Sequence, residues 1–121
     1  MSTVNLTSST FEQTVRGNDI VLVDFWAAWC GPCRMFAPVY EKAAQQHADV
    51  VFGKVATEAE QILASQTGIT SIPTLMAFRE NVLVFSQPGA LPAASLEQVI
   101  SGVRGLDMDD VRAQIARQSA V

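Results

Sequence analysis

Three features of the 121-residue sequence predict an α/β fold with a central mixed β-sheet flanked by helices on both faces. Strand-like and helix-like segments alternate along the chain. The most apolar stretch, Ile20-Val21-Leu22-Val23-Asp24-Phe25-Trp26, is apolar at odd and even positions alike, the pattern of a strand covered on both sides. Near the end, Thr74–Phe78 and Val82–Phe85 are separated by only three residues, so a hairpin adds antiparallel pairing to a parallel-cored sheet.

The elements follow in order. Val4 to Leu6 reads as a short first strand. Thr7-Ser8-Ser9-Thr10 supplies capping hydroxyls, with Glu12 and Gln13 placed for a capping box, and a short helix runs to about Arg16. Gly17-Asn18-Asp19 turns the chain into the strand 20–26. Arg34 to Gln46 is helical, with Phe36, Val39, Tyr40 and Ala43 at three- and four-residue spacings. Pro38 removes one backbone donor inside that helix and predicts a kink. Val50 to Val55 is a further core strand. Thr57 or Glu58 opens a helix to about Gln66, and Gly68 ends it. The hairpin comes next, then the loop Gln87-Pro88-Gly89-Ala90 and a helix from Ala93 to Val103. The order is β-α-β-α-β-α-β-β-α. A further C-terminal helix is predicted: Gly105 breaks the last helix, Asp107 can cap another, and Met108, Val111 and Ile115 fall on one face. Residues 1–105 thus form one α/β domain and 106–121 a C-terminal helical extension, either packed on the domain or a docking element for a partner.

Apolar residues make up 49% of the chain and charged residues 17%, enough apolar material for a core and too little charge for disorder. The net charge of −4 and the pI of about 4.7 disfavour nucleic acid as a partner, and the basic residues form no run. The first ten residues lack the basic start and apolar stretch of a secretory signal. The segment Ile20 to Cys30 falls short of the roughly 20 residues that span a bilayer. These features point to a soluble cytoplasmic protein, without membrane contact.

The only two cysteines lie in Trp29-Cys30-Gly31-Pro32-Cys33. A disulfide closing so short a loop contributes only about 2 kcal/mol by chain entropy, against about 3 for a 15-residue loop. The pair is therefore better placed for reversible chemistry than for stapling. A closed zinc site needs about four ligands. Two thiols and one histidine, His47, do not supply them, and His47 reads as a solvated residue near a helix end. Cys30 follows a strand's carboxyl end and precedes a helix, where free N–H groups and the helix dipole favour a thiolate. Pro32 suits the first helical turn. Cys33, one turn in, points back at Cys30 and is the less exposed thiol. This assigns attack on a substrate disulfide to Cys30 and resolution to Cys33; the bland alternative is two free thiols. Asp24 lies in an apolar strand, where burial raises a carboxyl pKa. It reads either as the base that takes the Cys33 proton or as a buried carboxylate satisfied by local hydrogen bonds. Lys54 is either its tuning partner or a solvated lysine.

The run Val23 to Pro38, with Trp-Cys-Gly-Pro-Cys at its centre, resembles the active-site segment of the thioredoxin family nearly position for position, and the likeness extends over about residues 3 to 104. It implies the thioredoxin fold, with Cys30 as nucleophile, Cys33 as resolving thiol, Asp24 as the buried carboxylate and Lys54 as the lysine beside it. It also implies that Ile72-Pro73-Thr74 is the cis-proline loop facing the dithiol, and that Trp29, Gly31, Pro32, Ile72, Pro73, Gly89 and Ala90 form the substrate contact surface. The Gly-Pro dipeptide implies a reductant. The gap between about −270 mV for a reducing dithiol and about −120 mV for an oxidising one amounts to about 7 kcal/mol. The family binds no cofactor and no metal, and draws electrons from NADPH through a flavin-containing thioredoxin reductase; its partners are that reductase and disulfide-containing proteins, met as a monomer. Three departures stand away from the dithiol. Ala56 and Thr57 replace a frequent acidic residue, and Thr67 an aromatic one. Arg79-Glu80-Asn81-Val82 lacks the usual glycine turn, so Asn81 is expected in the left-handed region. Two rival readings remain: a disulfide oxidant or isomerase, and a non-catalytic binding or holdase module.

Overall fold

A computed structural model describes residues 2–119. Its elements are β1 (Val4–Asn5), α1 (Phe11–Gly17), β2 (Ile20–Trp26), α2 (Gly31–Gln46), β3 (Val51–Ala56), α3 (Gln61–Gln66), β4 (Thr74–Arg79), β5 (Val82–Pro88), α4 (Ala93–Arg104) and α5 (Met108–Ser119). The strands form one five-stranded sheet in the order β1-β3-β2-β4-β5. β1, β3 and β2 run parallel, while β4 is antiparallel to β2, and β5 to β4.

β2 sits at the centre, and Ile20 through Phe25 are all buried. Alternate residues feed two cores. Ile20 and Leu22 face Phe36, Tyr40, Leu96 and Ile100 from α2 and α4. Val21, Val23 and Phe25 face Val15 and Leu63 from α1 and α3. Cover on both faces is what an apolar strand without alternation demands, because either face left wet would expose several β-branched side chains.

Local chemistry differs from the sequence expectation at several points. No capping box forms at α1: the Thr10 hydroxyl makes no cap bond to the helix and instead accepts from the Thr7 backbone N–H at 3.0 Å, while Glu12 pairs with Arg16. α3 starts at Gln61 rather than Thr57 or Glu58, because Ala59 and Glu60 both donate to the Ala56 carbonyl and close a turn there. Gly68 (φ 74°) ends α3 as expected, with Gly68 N–H on Ser65 O and Ile69 N–H on Ala64 O. The β3 boundaries move one residue along, and β5 extends to Pro88, whose missing N–H is tolerated on an edge strand. In the hairpin turn both Glu80 (φ 50°) and Asn81 (φ 66°) are left-handed, not Asn81 alone, since a two-residue turn matched to sheet twist needs both. α2 runs continuously through Pro38.

His47 caps the end of α2 but is not solvated. Its ring bonds Glu97 of α4 at 2.8 Å and lies 2.9 Å from an Arg104 guanidinium nitrogen, which also pairs with Asp49. The C-terminal helix forms, and the Asp107 carboxylate accepts from the Asp110 N–H as an N-cap. Of its apolar stripe only Met108 is buried; Val111 is half-buried and Ile115 exposed. Arg112 ties α5 to Glu80 of the hairpin turn, and Arg79 donates to the carbonyls of Val103, Arg104 and Leu106 where α4 ends. α5 thus sits at the hairpin-turn end of the sheet, the end where β2 begins. Ala120 and Val121 lie outside the described residues.

Tyr40 locks α2 to the sheet. Fully buried, it packs between Phe36 and Phe52 and donates its hydroxyl to the Gly53 carbonyl at 2.8 Å. Tyr40→Phe removes that donor without opening a cavity. Urea denaturation should register a loss of about 1–3 kcal/mol, the range for an unpaired buried acceptor.

Candidate active site

β2 delivers the chain at its carboxyl end into a short turn, closed by Cys30 N–H on the Ala27 carbonyl at 3.2 Å. Cys30 is the N-cap of α2, with extended backbone (φ −86°, ψ 115°). Its sulfur accepts from the Cys33 N–H at 3.2 Å, the interaction that would hold a thiolate there in the reduced state. Pro32 occupies the first turn, where its missing N–H costs nothing. Cys30 and Cys33 are joined as a disulfide with Cα atoms 5.2 Å apart. The two sulfur residues are equally hidden, at 4% and 3% exposure, so the expected contrast in exposure is absent from this oxidised form.

The Ile72-Pro73 peptide is cis, and the Ile72 carbonyl oxygen lies 3.8 Å from the Cys30 sulfur. The loop is braced by Thr74 Oγ1 donating to Ser71 O at 2.7 Å and by Gly89 N–H donating to Pro73 O at 2.8 Å. Gly89 makes that reach at φ 101°, a conformation open to glycine. Trp29 is 64% exposed although it is one of the largest apolar side chains present. Pro32, Gly89 and Ala90 are exposed and Ile72 half-buried. Trp29, Cys30, Gly31, Pro32 and Ile72 share a groove of about 540 Å³. Its far wall is Thr57, Ala64 and Ile69, which the sequence did not reveal as site residues because they come from the segments around α3, distant along the chain.

Asp24 lies in β2, six residues before Cys30, and is completely buried. Both carboxylate oxygens lack a hydrogen-bond partner among the described residues, as does the buried Trp26 Nε1. No protein group among the described residues donates to the carboxylate, which the second of the two sequence readings requires. Burial pushes the Asp24 pKa from 3.8 up to about 7, and the nearby Lys54 charge opposes that rise. Lys54 stands opposite Asp24 in the β2–β3 register, and its ammonium lies 4.7 Å from the Trp26 ring centroid. It is half-buried rather than solvated. Tyr40 responds to the same neighbourhood: burial, and then the Asp24 charge, push its phenol well above the ordinary value. The sequence marked Tyr40 only as part of a helix stripe. The signal for more was a phenol at a core position, whose hydroxyl must find a partner.

A redox disulfide at a helix N-terminus, beside a cis-proline loop and in a groove, defines a thiol–disulfide oxidoreductase. The family model described as "Thioredoxin" matches residues 2–102. A Streptomyces coelicolor protein named "Putative thioredoxin 2" is 61% identical over 119 residues, covering 98% of this chain and 89% of that protein. A thioredoxin of Alicyclobacillus acidocaldarius is 46% identical, covering 84% and 98%. Among solved structures, thioredoxin f from spinach chloroplast superposes with a TM-score of 0.79 at 33% identity, covering 86% of this chain and 95% of that one. The chain belongs to the thioredoxin family, whose members are protein disulfide reductases.

The Asp24 titration has a fixed sign. The unfolded carboxyl releases its proton near 3.8 and the folded one near 7, so between these values the folded chain holds the extra proton. Stability therefore falls as pH rises from about 4 to about 7, by an amount on the order of 4 kcal/mol for a shift of this size. Asp24→Asn should be more stable than the parent at pH 8, and the difference should close as pH approaches 4. Urea titrations across that range test it.

Proposed function

We propose that this protein reduces protein disulfides through a reversible Cys30–Cys33 dithiol, with Cys30 as nucleophile and Cys33 as resolving thiol. The carrying observation is the disulfide at the α2 N-terminus, with the Cys33 N–H on the Cys30 sulfur. The Cys30 thiolate attacks one sulfur of a substrate disulfide; that S–S bond breaks, a Cys30–substrate bond forms, and the first substrate sulfur leaves as thiolate. Cys33, its proton taken by Asp24, then attacks the Cys30 sulfur. The mixed disulfide breaks, the second substrate thiolate leaves, and the Cys30–Cys33 bond is restored. Two electrons have passed to the substrate. Asp24 suits the base role because its carboxyl titrates near neutral pH, with Lys54 tuning it.

Trp29, Gly31, Pro32, Ile72, Pro73, Gly89 and Ala90 would contact the substrate. Electrons come from NADPH through a flavin-containing thioredoxin reductase, and the protein works as a cytoplasmic monomer. Among the described residues no helix is long and apolar enough to cross a membrane. Residues 1–105 form the catalytic domain. The extension 106–121 is peripheral to catalysis, because Arg112 and Arg79 fasten it at the hairpin-turn end of the sheet. The Streptomyces coelicolor relative aligns over 98% of the chain, beyond the family segment ending at residue 102.

NADPH oxidation coupled to insulin reduction, with the cognate reductase, is the direct test; a folded protein giving no turnover would sink the proposal. Cys30→Ser should abolish turnover, whereas a holdase role would survive it. Cys33→Ser should leave a long-lived mixed disulfide visible by mass. Asp24→Asn should slow resolution and remove the ionisation near pH 7 from the rate profile, as expected when the base is lost.

A further inference from the structure

Arg34 stands in the first turn of α2, where a cation opposes the helix dipole, and no acidic residue in that turn offsets it. Its side chain is exposed, so no core contact explains its position. Instead the guanidinium folds back over the active-site bend. Nη1 donates to the Ala28 carbonyl at 2.9 Å, and Nη2 lies 4.0 Å from where a side-chain carbon on Gly31 would sit. The segment between β2 and Cys30 is otherwise closed by one backbone bond, Cys30 N–H to Ala27 O. Trp29 lies on this segment directly after Ala28. With its side chain largely in solvent, the backbone of the loop rather than core packing sets where the indole stands.

We propose that Arg34 is a positioning residue for exchange with protein disulfides: it latches the Ala28–Trp29 loop to α2 and so presents Trp29 beside Cys30 ready for docking. The inference rests on Cys30 being the attacking thiol, as set out under Proposed function. A loop ordered before binding does not have to be ordered by the substrate, so the latch acts on docking of a large partner. A small disulfide that touches only the sulfur gains nothing from it. A guanidinium suits this task better than an ammonium, because its planar fork is pre-organised for the bond to Ala28 O.

Arg34→Met keeps the stem and removes both donors and charge. Two substrates separate latch from thiol chemistry: insulin, and the small uncharged bis(2-hydroxyethyl) disulfide. The expected result is a fall in kcat/KM on insulin of about threefold to tenfold, carried by KM, with the small-disulfide rate held within about twofold. Arg34→Gln, too short for the bond, should repeat the pattern. Equal losses on both substrates would mean that Arg34 acts on the thiolate, and would overturn the latch. So would unchanged kinetics on insulin. The ratio of variant to parent should persist in 1 M salt, where the Debye length is about 3 Å; its disappearance would assign the effect to long-range charge instead. A parent protein that fails to reduce insulin removes the basis of both the functional reading and the latch, whereas a working parent matched by its variants overturns the latch alone.

Discussion

Strand β2 has no face that tolerates water. Ile20 through Phe25 are all buried, and this one constraint organises the molecule. Sheet neighbours must occupy both edges of β2, and they do: β3 parallel on one side, β4 antiparallel on the other. Helices must cover both faces, α2 and α4 on one and α1 and α3 on the other. A strand enclosed in this way can show only its end, and the carboxyl end of β2 is where the chain turns into the cysteines. The position of the site is a consequence of how the strand is buried.

Asp24 is the exception within that strand, and its exposure of 0% makes it costly. The protein neither pairs its oxygens with hydrogen-bond donors nor excludes all charge from it. Lys54, opposite in register, offsets part of the desolvation and leaves the carboxyl near neutrality. A carboxylate bonded by several N–H groups would instead titrate well below neutrality. The costly group lies in the strand that leads into the cysteines, six residues before Cys30. The two buried cysteines differ in what surrounds each of them more than in how much solvent reaches them.

Polar groups nearer the surface are fastened differently. His47, Glu97, Arg104 and Asp49 join the end of α2 to α4 through exposed or half-exposed contacts. Pairs of this kind contribute little individually, commonly below about 1 kcal/mol each. Their effect is to fix relative position. The described part of the extension is held in the same way: Met108 is its one buried apolar residue, and Arg112–Glu80 and Arg79–Leu106 O bind it to the hairpin. Glu80 adopts a left-handed backbone in the turn, and from there its carboxylate meets α5.

Short-range patterns were legible in the sequence because their causes are local. Unbroken apolarity marked β2, the Gly68 and Asp107 signals marked where α3 ends and α5 begins, and the Cys-Gly-Pro-Cys run marked the disulfide at a strand–helix junction. The buried carboxyl of Asp24 was legible from its neighbours in one strand. The cis Ile72-Pro73 bond was legible only through resemblance, since the propensity of an X–Pro bond favours trans. Where two local options were close in energy, the sequence did not separate them: Thr10 turned its hydroxyl to Thr7 rather than to its helix, and a turn on Ala56 delayed α3 until Gln61. Elsewhere distant contacts chose, as when His47 found Glu97 and Arg104 across the fold. By itself the sequence determined which segments must be buried and which atoms could carry the chemistry, because periodicity and thiol spacing are properties of neighbouring residues. The tertiary structure alone decided what faces that chemistry: Lys54 beside Asp24, the Ile72 carbonyl 3.8 Å from the Cys30 sulfur, and Ala64 and Ile69 across the groove. These meetings join residues far apart in the chain, and only packing both faces of β2 brings them together.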